Sequence, residues 1–151
     1  MRVAIGGTFD PLHAGHRRLL KKVYELSGGD DIVIGLTSDR MARASRCRTV
    51  LSYEARAENI KQYMWKEYGV RVRTVELNDR YGVTLDEDFD YIVISPETYK
   101  VAVEINEKRK KRGKKLIRIV KVEHAKAEDG KIISSTRIKE GEIDKYGRVI
   151  R

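Results

Sequence analysis

The sequence predicts an α/β fold, a doubly wound and mainly parallel sheet with helices on both faces. Three observations carry that expectation. Short continuous apolar runs rich in Val and Ile recur along the chain, as buried parallel strands require. Segments with apolar residues at helical spacing separate them. The two kinds alternate, and a strand, helix, strand succession is the unit that builds a parallel pair.

"RVAI" (Arg2 to Ile5) is the first run and ends at Gly6-Gly7. From Ala14 to Ser27, Leu19, Leu20, Val23 and Leu26 share one helical face. Arg17, Arg18, Lys21, Lys22 and Glu25 take the other, and Gly28-Gly29 ends the helix. "DIVIGLTS" (Asp31 to Ser38) is the second strand. "SYEARAENIKQYMWKEYG" places Tyr53, Ala57, Ile60, Met64 and Tyr68 on one stripe, with Ser52 as N-cap and Gly69 as the stop. "VRVRTVEL" reads as a strand, and the acidic "DEDFD" (Asp86 to Asp90) as a loop before the buried strand "DYIVIS". Pro96 opens and Gly113 closes the helix "PETYKVAVEINEKRKKRG". "KLIRIVKVE" alternates into a last strand, and the tail "SSTRIKEGEIDKYGRVI" offers one more short helix. No repeat, low-complexity stretch or linker interrupts the pattern, so residues 1–151 are expected to form one domain.

Charged residues make up 36% of the chain, yet the 40% that are hydrophobic fall in ordered clusters, a globular rather than disordered composition. The single Cys47 excludes an internal disulfide and suits a reducing interior, so a cytoplasmic protein is expected. No segment approaches the roughly 18 apolar residues of a membrane span. Met1 leads directly into a strand-like run, so neither membrane nor signal peptide is expected. A net charge of +9 favours anionic partners, namely nucleic acid, lipid headgroups or phosphorylated small molecules, without choosing among them. Much of the excess sits in "NEKRKKRGKK", which reads as a solvated helix end. That run lacks the interleaved aromatics of a nucleic-acid surface, so no nucleic acid is expected. The sequence sets no oligomeric state.

"GGTFDPLHAGH" follows the first strand, at the carboxyl edge where doubly wound sheets bind ligands. Gly6-Gly7 permits a sharp turn and a close approach of backbone to ligand. Ala14-Gly15-His16 falls where the first helix begins, and its amide groups, unpaired within the helix, are expected to attract phosphate. His13 and His16 are three apart, so in one helical turn their imidazoles share a face. Two such donors and a helix dipole aimed at one point stabilise charge growing on a phosphorus centre. Taken singly, the same residues serve as turn glycines and a helix cap. Zinc is the alternative for the histidines, but Asp10 and Cys47 form no recognised ligand spacing with them, so no metal site is expected.

With those residues in view, "GGTFDPLHAGH" resembles the H/T-x-G-H signature of the nucleotidyltransferase superfamily. "ISSTRI" (Ile133 to Ile138) resembles its second signature, I-S-S/T-T-x-x-R. Within the superfamily the chain resembles the phosphopantetheine adenylyltransferases of archaeal and eukaryotic type over nearly its full length. "GLTSDRM", "YEARAENI", "YGVTLDEDFDYIVISPET" and "HAKAEDGKIISSTRI" carry that likeness. The resemblance implies a Rossmann-like nucleotidyltransferase fold and transfer of AMP from ATP to the phosphate of 4'-phosphopantetheine, giving dephospho-coenzyme A and pyrophosphate. "GTFD" is shared with cytidylyltransferases and archaeal FAD synthetases, so another phosphate monoester such as flavin mononucleotide is the rival acceptor. A non-enzymatic nucleic-acid-binding domain is the rival from another class, and it leaves the opening motif unexplained.

The resemblance also implies roles. His16 donates to the α-phosphoryl oxygens in the transition state and His13 helps at the same phosphates. Thr8 bonds the incoming phosphate, the Phe9 backbone and Gly15 lie along the nucleotide, and Asp10 fixes the loop through backbone amides. Ser134, Ser135 and Thr136 cradle the β- and γ-phosphates, and Arg137 adds a fixed charge. Glu97 and Thr98 are expected to line the substrate site, with Arg109 a more distant candidate. Where the family commonly has a phosphate-binding lysine this chain has Ser45, and Arg46 is the candidate substitute. Mg2+ is expected to arrive on ATP.

Overall fold

The computed structural model describes residues 1–44 and 50–150. β1 (Arg2–Gly7) pairs with β2 (Asp31–Thr37) on one side and with β4 (Tyr91–Ile94) on the other. β3 (Arg73–Leu77) extends the sheet beyond β2, and β5 (Arg118–Lys121) beyond β4. The order is β3-β2-β1-β4-β5 and every pairing is parallel. Between the first three strands and the last two the winding reverses, so the switch point lies between β1 and β4.

Strand alternation divides the core. Val3 and Ile5 of β1 join Ile32, Ile34 and Leu36 of β2 against one layer, formed by α1 (Ala14–Ser27) and α3 (Tyr53–Tyr68) through Leu20, Val23, Ala57, Ile60 and Met64. Ala4, Val33, Ile92 and Ile94 face the opposite layer, where Ala102 and Ile105 of α4 (Tyr99–Lys111) cover them. Burial on both faces is why the central strands read as unbroken apolar runs.

The caps act as their residue types suggest. Ser52 accepts a bond from the Ala55 amide at 3.2 Å. Gly28 and Gly69 end α1 and α3 at φ 64° and 67°, in the left-handed region that glycine enters without a Cβ penalty.

Several boundaries differ from expectation, among them the starts of β3 at Arg73 and of β5 at Arg118, each three residues later than the apolar pattern suggests. Gly6 and Gly7 continue β1, pairing opposite Gly35 and Leu36, and the sharp turn comes instead at Phe9, with φ 55°. A Cβ on Gly7 would meet the Phe9 ring at 2.9 Å, so this glycine makes room for the ring beneath the loop. The helix expected from Pro96 begins as a 3-10 turn, Pro96–Thr98, before α4 proper. A short α2 (Asp39–Ala44) also follows β2, where the apolar pattern is too brief to announce a helix.

After β5 the chain crosses the carboxyl edge of the sheet. Ala125, Ala127, Ile133 and Ile143 form a small third cluster with Ala14, next to α5 (Ser135–Lys139). The tail is tied to the start of α1 by the bond from the Ala14 amide to Lys145 O, 3.0 Å. Among the described residues no helix is long and apolar enough to cross a membrane.

Candidate active site

A cavity of about 360 Å³ opens at the switch point. Gly6 and Gly7 form its floor, Thr8, Phe9, His13, Gly15 and His16 one wall, and Ser95, Glu97, Thr98, His124 and Ser134 the other. Five segments distant in sequence meet here, at the carboxyl ends of β1, β4 and β5 and at the starts of α1 and α5.

His13 is the N-cap of α1. Its Nδ1 accepts from the amides of Gly15 at 3.0 Å and His16 at 3.3 Å. Those bonds place the ring proton on Nε2, so neutral His13 presents an N–H donor. Burial pushes its pKa down to about 4, and the neighbouring His124 adds to the shift. The His16 ring stacks on His13 with centroids 3.7 Å apart. His16 Nδ1 lies 3.1 Å from Pro11 O and 3.4 Å from the His13 amide. These are alternatives, and the nearer carbonyl, which only accepts, favours a proton on Nδ1. A His16 held in that way donates from Nε2 when the ring is protonated, which couples its action to an anion beside it.

The first-turn amides of α1 are not the phosphate cradle the sequence suggests. Ala14 donates to Lys145 O, and Gly15 and His16 to His13 Nδ1, so the donors are taken. What reaches the cavity is the imidazole pair with the helix dipole behind it. Gly15 has a packing reason, because a Cβ there would meet His13 Cε1 at 2.8 Å.

The loop between β1 and α1 is pinned from below. Asp10, buried, accepts the Leu51 amide at 2.6 Å and pairs with Lys139 at 3.2 Å. Thr8 Oγ1 lies 2.9 Å from Thr37 Oγ1. Phe9 is buried, its ring 4.8 Å from that of His16.

Other expected residues separate into those the cavity gathers and those it does not. Ser134 lines it, and its Oγ accepts the Arg137 amide at 3.2 Å. Glu97 and Thr98 line it too. Ser135 and Thr136 open α5, but their side chains lie outside the described part, as does Arg46. Arg137 does not face the cavity as a free charge. Its guanidinium is shared among Asp129, Glu142 (3.0 Å) and Ile132 O (3.0 Å), a staple for the C-terminal segment.

Arg109 is a correction. It is fully buried near the C-terminus of α4, at the opposite edge of the sheet. There it donates to Lys115 O at 2.7 Å, Thr84 O at 2.8 Å and Glu87 O at 2.9 Å, and pairs with Asp88. A run of like charges at a helix end gives no hint that one member turns inward to bind loop carbonyls.

Sequence reasoning also missed His124, beyond β5, whose Nε2 is 3.6 Å from Glu97 Oε1. It missed a second, apolar cavity of about 200 Å³ on the α4 side, lined by Val33, Val75, Leu77, Tyr81, Val83 and Val101. The two cavities share Ile5, Gly6, Gly7, Val93, Ile94 and Thr98. The hydrophobic "VEL" and "YGV" segments were the available signal, but they read equally well as core.

An all-parallel sheet with a histidine-lined cavity at its switch point defines a nucleotidyltransferase of the cytidylyltransferase-like class, and the Cytidylyltransferase-like family model matches residues 4–141. A protein of Archaeoglobus fulgidus named phosphopantetheine adenylyltransferase is 57% identical over 150 residues, 99% of this chain and 100% of that one. One of the same name from Methanosarcina barkeri is 50% identical, over 98% of this chain and 92% of its own length. A crystal structure titled as a protein of unknown function from Archaeoglobus fulgidus superposes with a TM-score of 0.76 at 53% identity, covering 81% of this chain and 89% of that one. The chain belongs to the phosphopantetheine adenylyltransferase family.

Proposed function

We propose that this chain is a cytoplasmic enzyme that transfers AMP from ATP to the phosphate of 4'-phosphopantetheine, giving dephospho-coenzyme A and pyrophosphate. The observation that carries this reading beyond the family is the meeting of two unlike cavities at Gly6-Gly7. The polar one, with its imidazoles and Ser134, suits a nucleoside triphosphate. The apolar one suits the arm of an acceptor whose phosphate projects across the shared floor.

The acceptor phosphate, with a second pKa near ~6, is largely dianionic at neutral pH and needs no general base. One of its oxygens forms the new bond to the α-phosphorus, the bond from that phosphorus to the bridging oxygen breaks, and pyrophosphate leaves with the electron pair. Catalysis then consists of holding two anions in line and neutralising the charge that grows between them. His16 and His13 supply donors at the α-phosphoryl group, and His13, being neutral, does so without a charge of its own. Thr8 holds the incoming phosphate and Ser134 the departing one. Among the described residues no cluster of three His, Cys, Asp or Glu is arranged to hold a metal ion. Mg2+ would come to this site on the ATP phosphates, where it would offset their charge.

The test is pyrophosphate release from ATP and Mg2+ with each candidate acceptor in turn. Turnover is expected with 4'-phosphopantetheine. Silence with it and turnover with flavin mononucleotide overturns the assignment.

A further inference from the structure

Arg56 is a buried cation that the reaction does not use directly. Its side chain, on α3, is fully enclosed, yet its guanidinium reaches three separate stretches of chain bordering the site. Nε donates to Leu51 O at 2.8 Å, Nη2 to Asp39 Oδ1 at 3.2 Å, and Nη1 to Thr37 Oγ1 at 3.1 Å and Thr8 O at 3.4 Å. A guanidinium only donates and stays charged at any working pH.

That fact orients the hydroxyls beyond it. Thr37 Oγ1, at the carboxyl end of β2, accepts from Arg56 and lies 2.9 Å from Thr8 Oγ1. Of these two neighbours only Thr8 Oγ1 can accept, and the charge bonded to Thr37 Oγ1 favours the order in which the Thr37 proton points to Thr8 over the reverse. With Thr37 donating, the Thr8 proton is directed away, toward the cavity that Thr8 lines. Each bond in the chain strengthens the next, because the first donor is a charge held in a dry environment.

We propose that Arg56 and Thr37 are positioning residues that favour the Thr8 hydroxyl as a donor to the phosphate of the acceptor. The relay rests on the adenylyl-transfer reading and extends it. It selects an acceptor group that only accepts, a phosphate dianion, over an alcohol or amine that needs its own proton taken. It also explains why a charged residue occupies a stripe otherwise made of Ala57, Ile60 and Met64.

Thr37→Val replaces the hydroxyl with a methyl of similar size and removes the middle of the relay without unburying Arg56. With 4'-phosphopantetheine as acceptor, Thr37→Val is expected to lower kcat/KM for the acceptor about tenfold, as loss of one charge-assisted bond does. The KM for ATP should change little. Thr37→Ser, which keeps the hydroxyl, should recover most of the loss, and Thr8→Val combined with Thr37→Val should be no worse than Thr8→Val alone. An unchanged acceptor kcat/KM in Thr37→Val overturns the relay, as does an equal loss in Thr37→Ser or additive losses in the double variant. If the wild type ignores 4'-phosphopantetheine but turns over flavin mononucleotide, the substrate reading fails. The same variants assayed on flavin mononucleotide then decide the relay by the same criteria.

Discussion

His13 and His16 stack with an angle of 18° between ring planes, and the two are not equivalent. His13 spends its Nδ1 on the start of α1 and is held neutral, whereas the nearer bond of His16 Nδ1 is to the Pro11 carbonyl. The first caps the helix and keeps one outward donor, and the second is held at a loop carbonyl beside the cavity.

His16→Ala should therefore lower kcat by at least about tenfold while ATP affinity falls much less, because its contribution is assigned to the transition state. Initial rates across ATP concentrations, with ATP binding measured by calorimetry, separate the two effects. Equal losses in both would make His16 a ground-state contact, and an unchanged kcat would remove it from the mechanism.

The depressed pKa of His13 carries a pH signature. Its folded value, about 4, lies below the ordinary 6.5, so between these values the unfolded chain binds the proton more readily than the folded one. Stability from this group is complete above pH 6.5 and declines as pH falls toward 4, by as much as about 3 kcal/mol. His13→Asn keeps an N-cap of the favoured type and removes the titration. Urea unfolding at intervals from pH 7 to pH 4 should show the wild-type advantage over the variant shrinking with acidification, and a constant difference would contradict the buried neutral imidazole.

Gly15 is expected to be intolerant for a reason local to His13. Its φ is not in the left-handed region, so Gly15→Ala meets no backbone strain, but the added Cβ would press on the His13 ring at 2.8 Å. Displacing that ring frees the Gly15 and His16 amides and disturbs the stack. Turnover should fall at least tenfold, with a loss of stability near 1 kcal/mol, the usual worth of an N-cap. A Gly28→Ala control, where no atom lies within 4 Å of the added Cβ, should leave turnover intact despite its left-handed φ.

These sites show which physics a sequence displays. α1 runs from Ala14 to Ser27 as the leucine stripe and glycine stop predict, and Ser52 and Gly69 bound α3, because caps and the 3.6-residue period are local. The all-parallel order follows from alternation, since parallel neighbours need a crossover. The occupants of the α1 amides were hidden, because one of them, Lys145 O, returns from the far end of the chain. Likewise the extension of β1 through Gly6-Gly7 depends on its ladder with Gly35 and Leu36, and nothing within the motif records that. The histidines and Ser134 were legible because their motifs are short and contiguous. His124 and Arg56 were not, since each acts through partners brought close only by folding.

Arg109 gives the sharpest separation of stability from chemistry. It satisfies the carbonyls of Thr84, Glu87 and Lys115, all in the layer beneath α4, and holds the Asp88 carboxyl below the usual carboxylate range. Arg109→Met keeps much of the side-chain volume but leaves these carbonyls without their donor, that of Thr84 in a buried place. An unsatisfied buried acceptor costs roughly 1–3 kcal/mol, so the loss should reach at least that. The histidine-lined cavity lies at the other edge of the sheet and none of these residues lines it, whereas Thr84 also borders the apolar one. At a temperature where the variant stays folded, its KM for ATP should match the wild type, with kcat within about twofold once corrected for folded fraction. A rise in the KM for ATP would instead return Arg109 to the active site, because loss of fold alone lowers the amount of active enzyme without changing what the remainder binds.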